Sequence, residues 1–537
     1  MSNRSGAWRR CLAVLCLSLA MLAGAAGGAR AESVLRLVPQ ADLKILDPFF
    51  TTANITSNHG YMIYDVLFAL DATLTPKPEM VDTYSVSADN LVWSFKLRDG
   101  LKFSDGSPVE GKDVVASIKR WAARIPAGQT MMLFTDTIAA TGPQSFEIKL
   151  KRPFGPMLLA LASPENPLFI MREKDAMVDP NAQISEYIGS GPFTFVKEEW
   201  VPGSKVVYKK NPLYVPRNEP PSGFAGGKVA KVDRVEWIYI PEAATATQAL
   251  VNGEVDMIEI PSADLLPVLR QSPDVVVKVI DPVGTQAIMR PNSLVPPFNN
   301  EKARQALLYL VGNQRDYLTA MVGSPEFEVP CWAVLVCGTP LATQAGVGSW
   351  VKGDEKANLA MAKQLFKEAG YKGEKVVVLD AADAPLAHAQ ALVMAEKLKQ
   401  ADVNVDLQTM DWSTMLGRRA VKDDPATNHA GWNIFFTWAG GLAQNNPMTN
   451  IGLVTVCDGS NWFGWPCDEE MNKTRLSFFS ATTPEAQKQV IDALQTEFYK
   501  DVPYIPGGIF KAPTAYRKNL SGVLDTARLV LWNIEKK

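Results

Sequence analysis

Five of the 13 tryptophans, Trp412, Trp432, Trp438, Trp462 and Trp465, fall between positions 412 and 465. An indole buries a large ring and keeps one N–H to donate, so such a cluster suits either a packed core or a wall that stacks on a ligand. Trp432, Trp462 and Trp465 read as core. Trp438 ends the apolar strand Asn433–Thr437 and opens a loop running from Ala439 to Pro447, and loops at strand ends are where open α/β sheets hold ligands. Gly440, Gly441, Asn445 and Asn446 of that loop are candidate ligand contacts, the asparagines offering neutral donors and acceptors. Trp412, after Val403–Met410, is open between cleft and core. Arg418, with Arg419, suits a two-pronged grip on a carboxylate or an exposed helix face. This is the chemistry of binding. The chain has no Gly-x-Ser-x-Gly, His-Glu-x-x-His or phosphate-loop motif, and its three histidines, His59, His388 and His429, are scattered. No metal or cofactor is expected. Among 57 acids a glycosidase-type carboxylate pair stays open.

The elements that must position these residues are legible as periodicity. In Leu91–Arg98 the odd positions are apolar and all but one of the even positions polar, the signature of a half-buried strand. Asp99-Gly100 predicts a two-residue turn, and Leu101–Ser104 resumes the alternation as the second strand of a hairpin. From Asp113, Val114, Val115, Ile118, Trp121 and Ala122 recur at helical spacing, with Lys112, Lys119 and Arg120 on the other side. Strands over Val34–Val38, Lys205–Lys209, Arg234–Ile240, Val275–Ile280 and Lys375–Leu379 alternate with helices over Lys302–Leu310, Lys356–Ala369, Ala387–Ala401 and Pro484–Asp501. That order implies an α/β class with mixed sheets. No internal repeat or low-complexity tract stands out.

The segment LVWSFKLRDGLKFSDGSPVEGKDVVASIKRW resembles the signature of the bacterial extracellular solute-binding proteins of the peptide/nickel class, the dipeptide- and oligopeptide-binding family 5 of ABC importers. Further matches are GSGPFTFVKEEWVPGSKVVYKKNPLY from Gly189, ATATQALVNGEVDMIE from Ala244 and PFNNEKARQALLYLVGNQRDYL from Pro297. The resemblance implies a two-lobed periplasmic-binding-protein fold of the large type, with an extra subdomain in lobe I, mixed sheets and a hinge. On that mapping lobe I is 32–286 with the subdomain at about 70–190, lobe II is 287–507, and 508–537 returns to lobe I. The crossings are expected near Thr285–Asn292 and Tyr504–Lys511.

The same resemblance implies a solute-binding component that traps a small molecule between its lobes and delivers it, as a monomer, to inner-membrane ABC permease subunits with their ATPases. A binding protein for a membrane chemoreceptor differs only in its partner, and a secreted hydrolase is the third reading. Thr51 and Thr52, with Asn54, follow the first strand at a position that lines the cleft in this family, or form a surface loop. Phe134 is a candidate cover for the opening. Peptide-binding relatives place an acidic residue shortly after the tryptophan, where it pairs with the ligand's α-ammonium. Trp438 is followed by Ala-Gly-Gly-Leu-Ala-Gln-Asn-Asn, with no carboxylate. An ammonium buried without a counter-charge is costly, so a free peptide N-terminus fits less well, and organic acids stand beside peptides as ligands.

Bulk properties agree with export. Arg4, Arg9 and Arg10 precede an apolar run from Cys11 to Ala23, and Ala29-Arg30-Ala31 is a small-x-small cleavage site, a signal peptide cut after Ala31 for the periplasm. Removing 31 residues with four arginines and no acids takes the formal charge from −3 to −7 and leaves 506 residues, enough for two or three domains. That charge excludes nucleic acid as a partner. Of the remaining cysteines, Cys331 with Cys337 and Cys457 with Cys467 read as two local disulfides, four free buried thiols being the other reading. Trp332, inside the first of these loops, is read as packing against lobe II, presentation to ligand or permease being the other reading.

Overall fold

The computed structural model describes residues 32–51 and 53–537. The leader expected over 1–31, its cleavage after Ala31, and candidate Thr52 lie outside the described residues. No helix among the described residues is long and apolar enough to cross a membrane.

The chain is α/β, and its strands gather into two large mixed sheets, one per lobe. In the seven-stranded sheet Val34–Val38 is central, parallel to Arg234–Ile238 on one side and to Met257–Ile258 on the other. Lys205–Lys210 and Phe193–Phe195 extend one flank antiparallel, and Thr514–Arg517 followed by Val275–Lys278 the other. The six-stranded sheet runs Glu328–Val329, Ile505–Phe510, Thr285–Pro291, Ile434–Gly440, Val376–Ala381, Val405–Met410. Its inner strands are buried almost along their whole length, the reason they read as near-continuous apolar runs.

Two strands tie the lobes together. Thr285–Pro291 and Ile505–Phe510 pair within the six-stranded sheet, while Val275–Lys278 before and Thr514–Arg517 after belong to the seven-stranded one. Sheet membership therefore changes over 279–284 and 511–513, a few residues outside the expected crossings, because burial holds both strands in one ladder to their outer ends.

The third unit is a four-stranded antiparallel sheet, Val81–Val86, Val92–Leu97, Ser145–Leu150, Thr135–Gly142, packed on the helix Gly111–Arg124. The expected hairpin does not form. Val92–Leu97 is a strand, but both its edges are taken, by Val81–Val86 and Ser145–Leu150, so Leu101–Ser104 finds no free edge. It curls instead into a tight loop, with the Phe103 N–H donating to the Ser107 carbonyl and the Val109 N–H to that of Leu101. The helix begins with a reciprocal cap between Glu110 and Asp113 and buries Val114, Ile118 and Trp121 completely. Lys112 and Lys119 face solvent, but Arg120 does not. Its side chain is fully buried, ion-paired to Asp47 at 2.7 Å and donating to the Ala182 carbonyl, which ties the helix to the turn after the first strand.

The cysteines form two disulfides, Cys331–Cys337 and Cys457–Cys467, with Cα separations of 5.8 and 4.6 Å.

Candidate functional site

The ends of three strands of the six-stranded sheet meet beside the two crossings. Thr285 opposes Gly440 on one side and Phe510 on the other, and the Gly441 N–H donates to the Gly284 carbonyl at 2.7 Å. Facing them across a cleft are residues of the seven-stranded sheet and its loops. The space has two chambers that share Gln40, Asn54, Ile260, Thr285, Gly440 and Ala512.

The larger chamber, about 520 Å³, is mostly apolar. Leu266 and Ile260 come from lobe I, and Met321, Val322, Phe327, Leu386 and Trp438 from lobe II. Lys511, on the return crossing, is the cation in this wall, and its ammonium makes no ion pair among the described residues. The Trp438 ring stacks on Trp412, centroids 5.2 Å apart at 22°. Trp412 opens the helix Trp412–Arg418, which Asp411 caps, and its own N–H donates to Asp383 at 2.6 Å.

The smaller chamber, about 180 Å³, is charged, lined by Glu165, Glu259, Asp281 and Arg528. Arg528 pairs with Glu165 at 3.0 Å and donates to the Asn54 carbonyl at 3.2 Å. Glu259 accepts from the Gln40 N–H at 2.9 Å and the Asn58 amide at 2.8 Å, and burial still pushes its carboxyl above the usual range. Asp281 accepts from the Val283 N–H at 2.8 Å. Its carboxyl is also pushed up, chiefly by burial, the Gly284 and Val283 N–H groups and the Lys511 charge opposing the shift and the Glu165 charge adding to it.

The structure sorts the sequence-predicted residues. Trp438 and Gly440 line the apolar chamber, Gly440 and Gly441 the charged one, and Trp412 supports Trp438 from behind. Trp438 lies within the strand Ile434–Gly440 rather than past its end, since the ladder to Thr285–Pro291 continues to Gly440. Asn445 and Asn446 line neither chamber. The Asn446 side chain donates to that of Asn445 at 2.7 Å and accepts from the Met448 and Thr449 N–H groups, so it is spent on holding a turn. Arg418 is likewise committed, donating to the carbonyls of His429, Ala430 and Gly431 at 2.8 to 3.0 Å, and has no fork left for a carboxylate. Phe134 is buried at the end of the helix Pro126–Phe134, packed on Phe154 and Phe479 with Arg152 over its face, and covers no opening. The Thr51 hydroxyl accepts from the Ala53 N–H and lines neither chamber, whereas its neighbour Asn54 lines both. Trp432 and Trp465 are core, and Trp462 packs half-buried beneath Arg290. Trp332 is buried against Trp350.

Sequence reasoning missed the charged chamber. Glu165 and Arg528 are 363 positions apart, and no local spacing links them to each other or to Asp281. The available signal was weak: Arg528 is a lone arginine in an apolar stretch near the C-terminus.

Comparison with known proteins fits this geometry. The model of the family described as bacterial extracellular solute-binding proteins, family 5 Middle, matches residues 75–461. A probable peptide ABC transporter periplasmic-binding protein of Sinorhizobium fredii (strain NBRC 101917 / NGR234) is 37% identical over 524 residues, 97% of this chain and 96% of that protein. Two solved structures share the fold. An ABC transporter substrate-binding protein of Listeria monocytogenes matches with TM-score 0.78 at 18% identity, over 94% of this chain and 100% of that one. A dipeptide-binding protein of Pseudoalteromonas sp. SM9913 in complex with Met-Leu matches with TM-score 0.73 at 19% identity, with the same coverages.

Proposed function

The chain belongs to family 5 of the bacterial extracellular solute-binding proteins, and on that premise we propose that this solute-binding component of an ABC-type importer takes a peptide or peptide-like solute into the cleft between its lobes. The exported chain, cut after Ala31, works in the periplasm as a monomer and hands its load to the inner-membrane permease subunits and their ATPases. Lobe I is 32–278 with 514–537 and lobe II is 285–510, joined by the crossings at 279–284 and 511–513, and both lobes contribute to capture. The protein makes and breaks no covalent bond in the solute.

The observation that carries this reading is the mixed parentage of the apolar chamber, with Leu266 and Ile260 from one lobe and Trp438 and Phe327 from the other. A ligand seated there gains both sets of contacts only when the lobes come together, so its binding energy drives closure. Micromolar affinity needs about 8 kcal/mol net, within reach of an enclosed cleft with one stacked indole and a few hydrogen bonds. The 37%-identical relative, named a probable peptide-binding protein, supports a peptide as the solute.

The test is a thermal-shift screen of the mature protein over short peptides, amino-acid conjugates and aromatic carboxylates. A binder raises the melting temperature with the logarithm of ligand concentration over Kd, as linkage requires. Stabilisation by at least one short peptide is expected. A set in which no peptide shifts the transition while unrelated solutes do contradicts the assignment.

A further inference from the structure

Resting on the peptide reading above, we propose that the ligand is a zwitterion held at both charged ends, its ammonium by Glu165 of lobe I and Asp281 of the outward crossing and its carboxylate by Lys511 of the return crossing, with an apolar side chain in the larger chamber against Trp438.

The argument begins at Gly440. The loop that follows Trp438 offers no carboxylate, and Gly440 brings no side chain at all. The other lobe fills that position. Glu165 Oε1 lies 3.0 Å from the point a Cβ on Gly440 would occupy, so the carboxylate stands in the cleft against the end of the lobe II strand. Its Oε2 is taken by Arg528 at 3.0 Å, while Oε1 accepts no hydrogen bond among the described residues. Glycine here leaves room for the acid that the loop lacks.

Charge within the smaller chamber favours a cation. Three carboxylates, Glu165, Glu259 and Asp281, face one guanidinium, Arg528. Glu259 is committed to Gln40 and Asn58, and Arg528 to Glu165 and the Asn54 carbonyl. Glu165 and Asp281 retain acceptor capacity, and the Glu165 charge opposes ionisation of Asp281 while the charge of Lys511, from the other chamber, favours it. An ammonium with three donors placed between them relieves that repulsion and satisfies both.

Lys511 sets the second end. It sits between apolar residues, its charge reaching Asp281 without an acid within ion-pair distance among the described residues, and an anion brought by the ligand supplies the close partner. The two chambers are continuous through Gln40, Asn54, Thr285 and Gly440, so one ligand spans both. A short peptide with a free N-terminus, a free C-terminus and a bulky apolar side chain meets all three requirements. An N-acylated peptide or a plain organic acid meets two.

The experiment is titration calorimetry with dipeptides bearing Leu, Phe or Trp side chains, each in free, N-acetylated and C-amidated form. The free forms are expected to bind, N-acetylation to weaken binding about 100-fold, and C-amidation about tenfold. Glu165→Gln and Asp281→Asn are each expected to weaken the free peptide about tenfold and to narrow the gap to its acetylated form, and Lys511→Met to remove the penalty of amidation. Equal affinity of free and acetylated peptides for the unaltered protein overturns the inference while leaving the peptide reading intact. Binding of none of the three forms overturns both. The comparison between ligands needs no variant, so a variant that fails to fold does not spoil it.

Discussion

The Gly155 N–H donates to the Phe479 carbonyl at 2.8 Å, joining the loop after the four-stranded sheet to the turn Phe478–Ser480, at a contact that neither crossing provides. The approach is close enough that a Cβ on Gly155 would fall 1.8 Å from the Ala481 carbonyl oxygen. Phe134 and Phe154 pack their rings on Phe479 around it, so this contact would serve as a clasp if it is made only when the lobes are together. Gly155→Ala is therefore expected to bias the protein towards the open form and to weaken ligand binding about tenfold without altering the cleft. Calorimetry on the variant checks this, and unchanged affinity would remove the clasp from the account.

Trp438 and Trp412 differ in their access to the cleft. Trp438 lines the apolar chamber, and Trp412 supports its ring from behind. Trp438→Ala should cost about 2 kcal/mol, close to 30-fold in Kd. Trp412→Ala should cost less, because the face turned to the ligand survives. Fluorescence titration of both variants orders the two effects, and equal losses contradict the division of roles.

His59 makes stability depend on pH. It is fully buried, its Nδ1 pairs with the Tyr208 hydroxyl at 2.8 Å, and its Nε2 has no hydrogen-bond partner among the described residues. Burial pushes its pKa down from 6.5 to about 3. The unfolded chain thus takes up a proton that the folded one refuses, so the contribution is intact above pH 6.5 and is lost as pH falls from 6.5 towards 3. Near pH 4.5 the loss from this one group is about 3 kcal/mol. Urea unfolding of the unaltered protein and of His59→Gln at pH 7 and 4.5 isolates it, the variant losing less stability on acidification. Parallel losses in both proteins contradict the assignment.

The disulfides close short loops, Cys331–Cys337 spanning 6 positions and Cys457–Cys467 spanning 10. On the loop-entropy scale these are worth about 2 and about 3 kcal/mol. Replacing either pair by serines should lower the melting temperature measurably, the 457–467 pair more, while calorimetry with a bound peptide changes little because neither pair lines the cleft. A cleft that stops binding when either pair is removed would contradict this.

What was legible in the sequence follows from what is local. Val34–Val38 and Pro484–Asp501 appear as read, because period and end signals set them. Leu101–Ser104 alternates as well as its neighbour does, yet strand formation needs a free edge, and only the whole sheet shows that Val92–Leu97 has none. Arg120 and Arg418 look like exposed helix arginines. Each is instead recruited by backbone carbonyls and, for Arg120, by Asp47, groups distant in sequence. Trp438, which lines the apolar chamber, stands out in the sequence because a tryptophan on a strand leading into a glycine-rich loop is a local pattern. Glu165, Asp281 and Arg528 converge only through the crossings, and the acid missing from the 439–446 loop arrives from the opposite lobe.

Closure around a guest is the central claim, and small-angle scattering tests it most directly. With a peptide that raises the melting temperature, the mature protein should show a smaller radius of gyration than without it, and the peptide should be recovered intact. Identical profiles in the two states, or conversion of the peptide by the pure protein, would contradict the account.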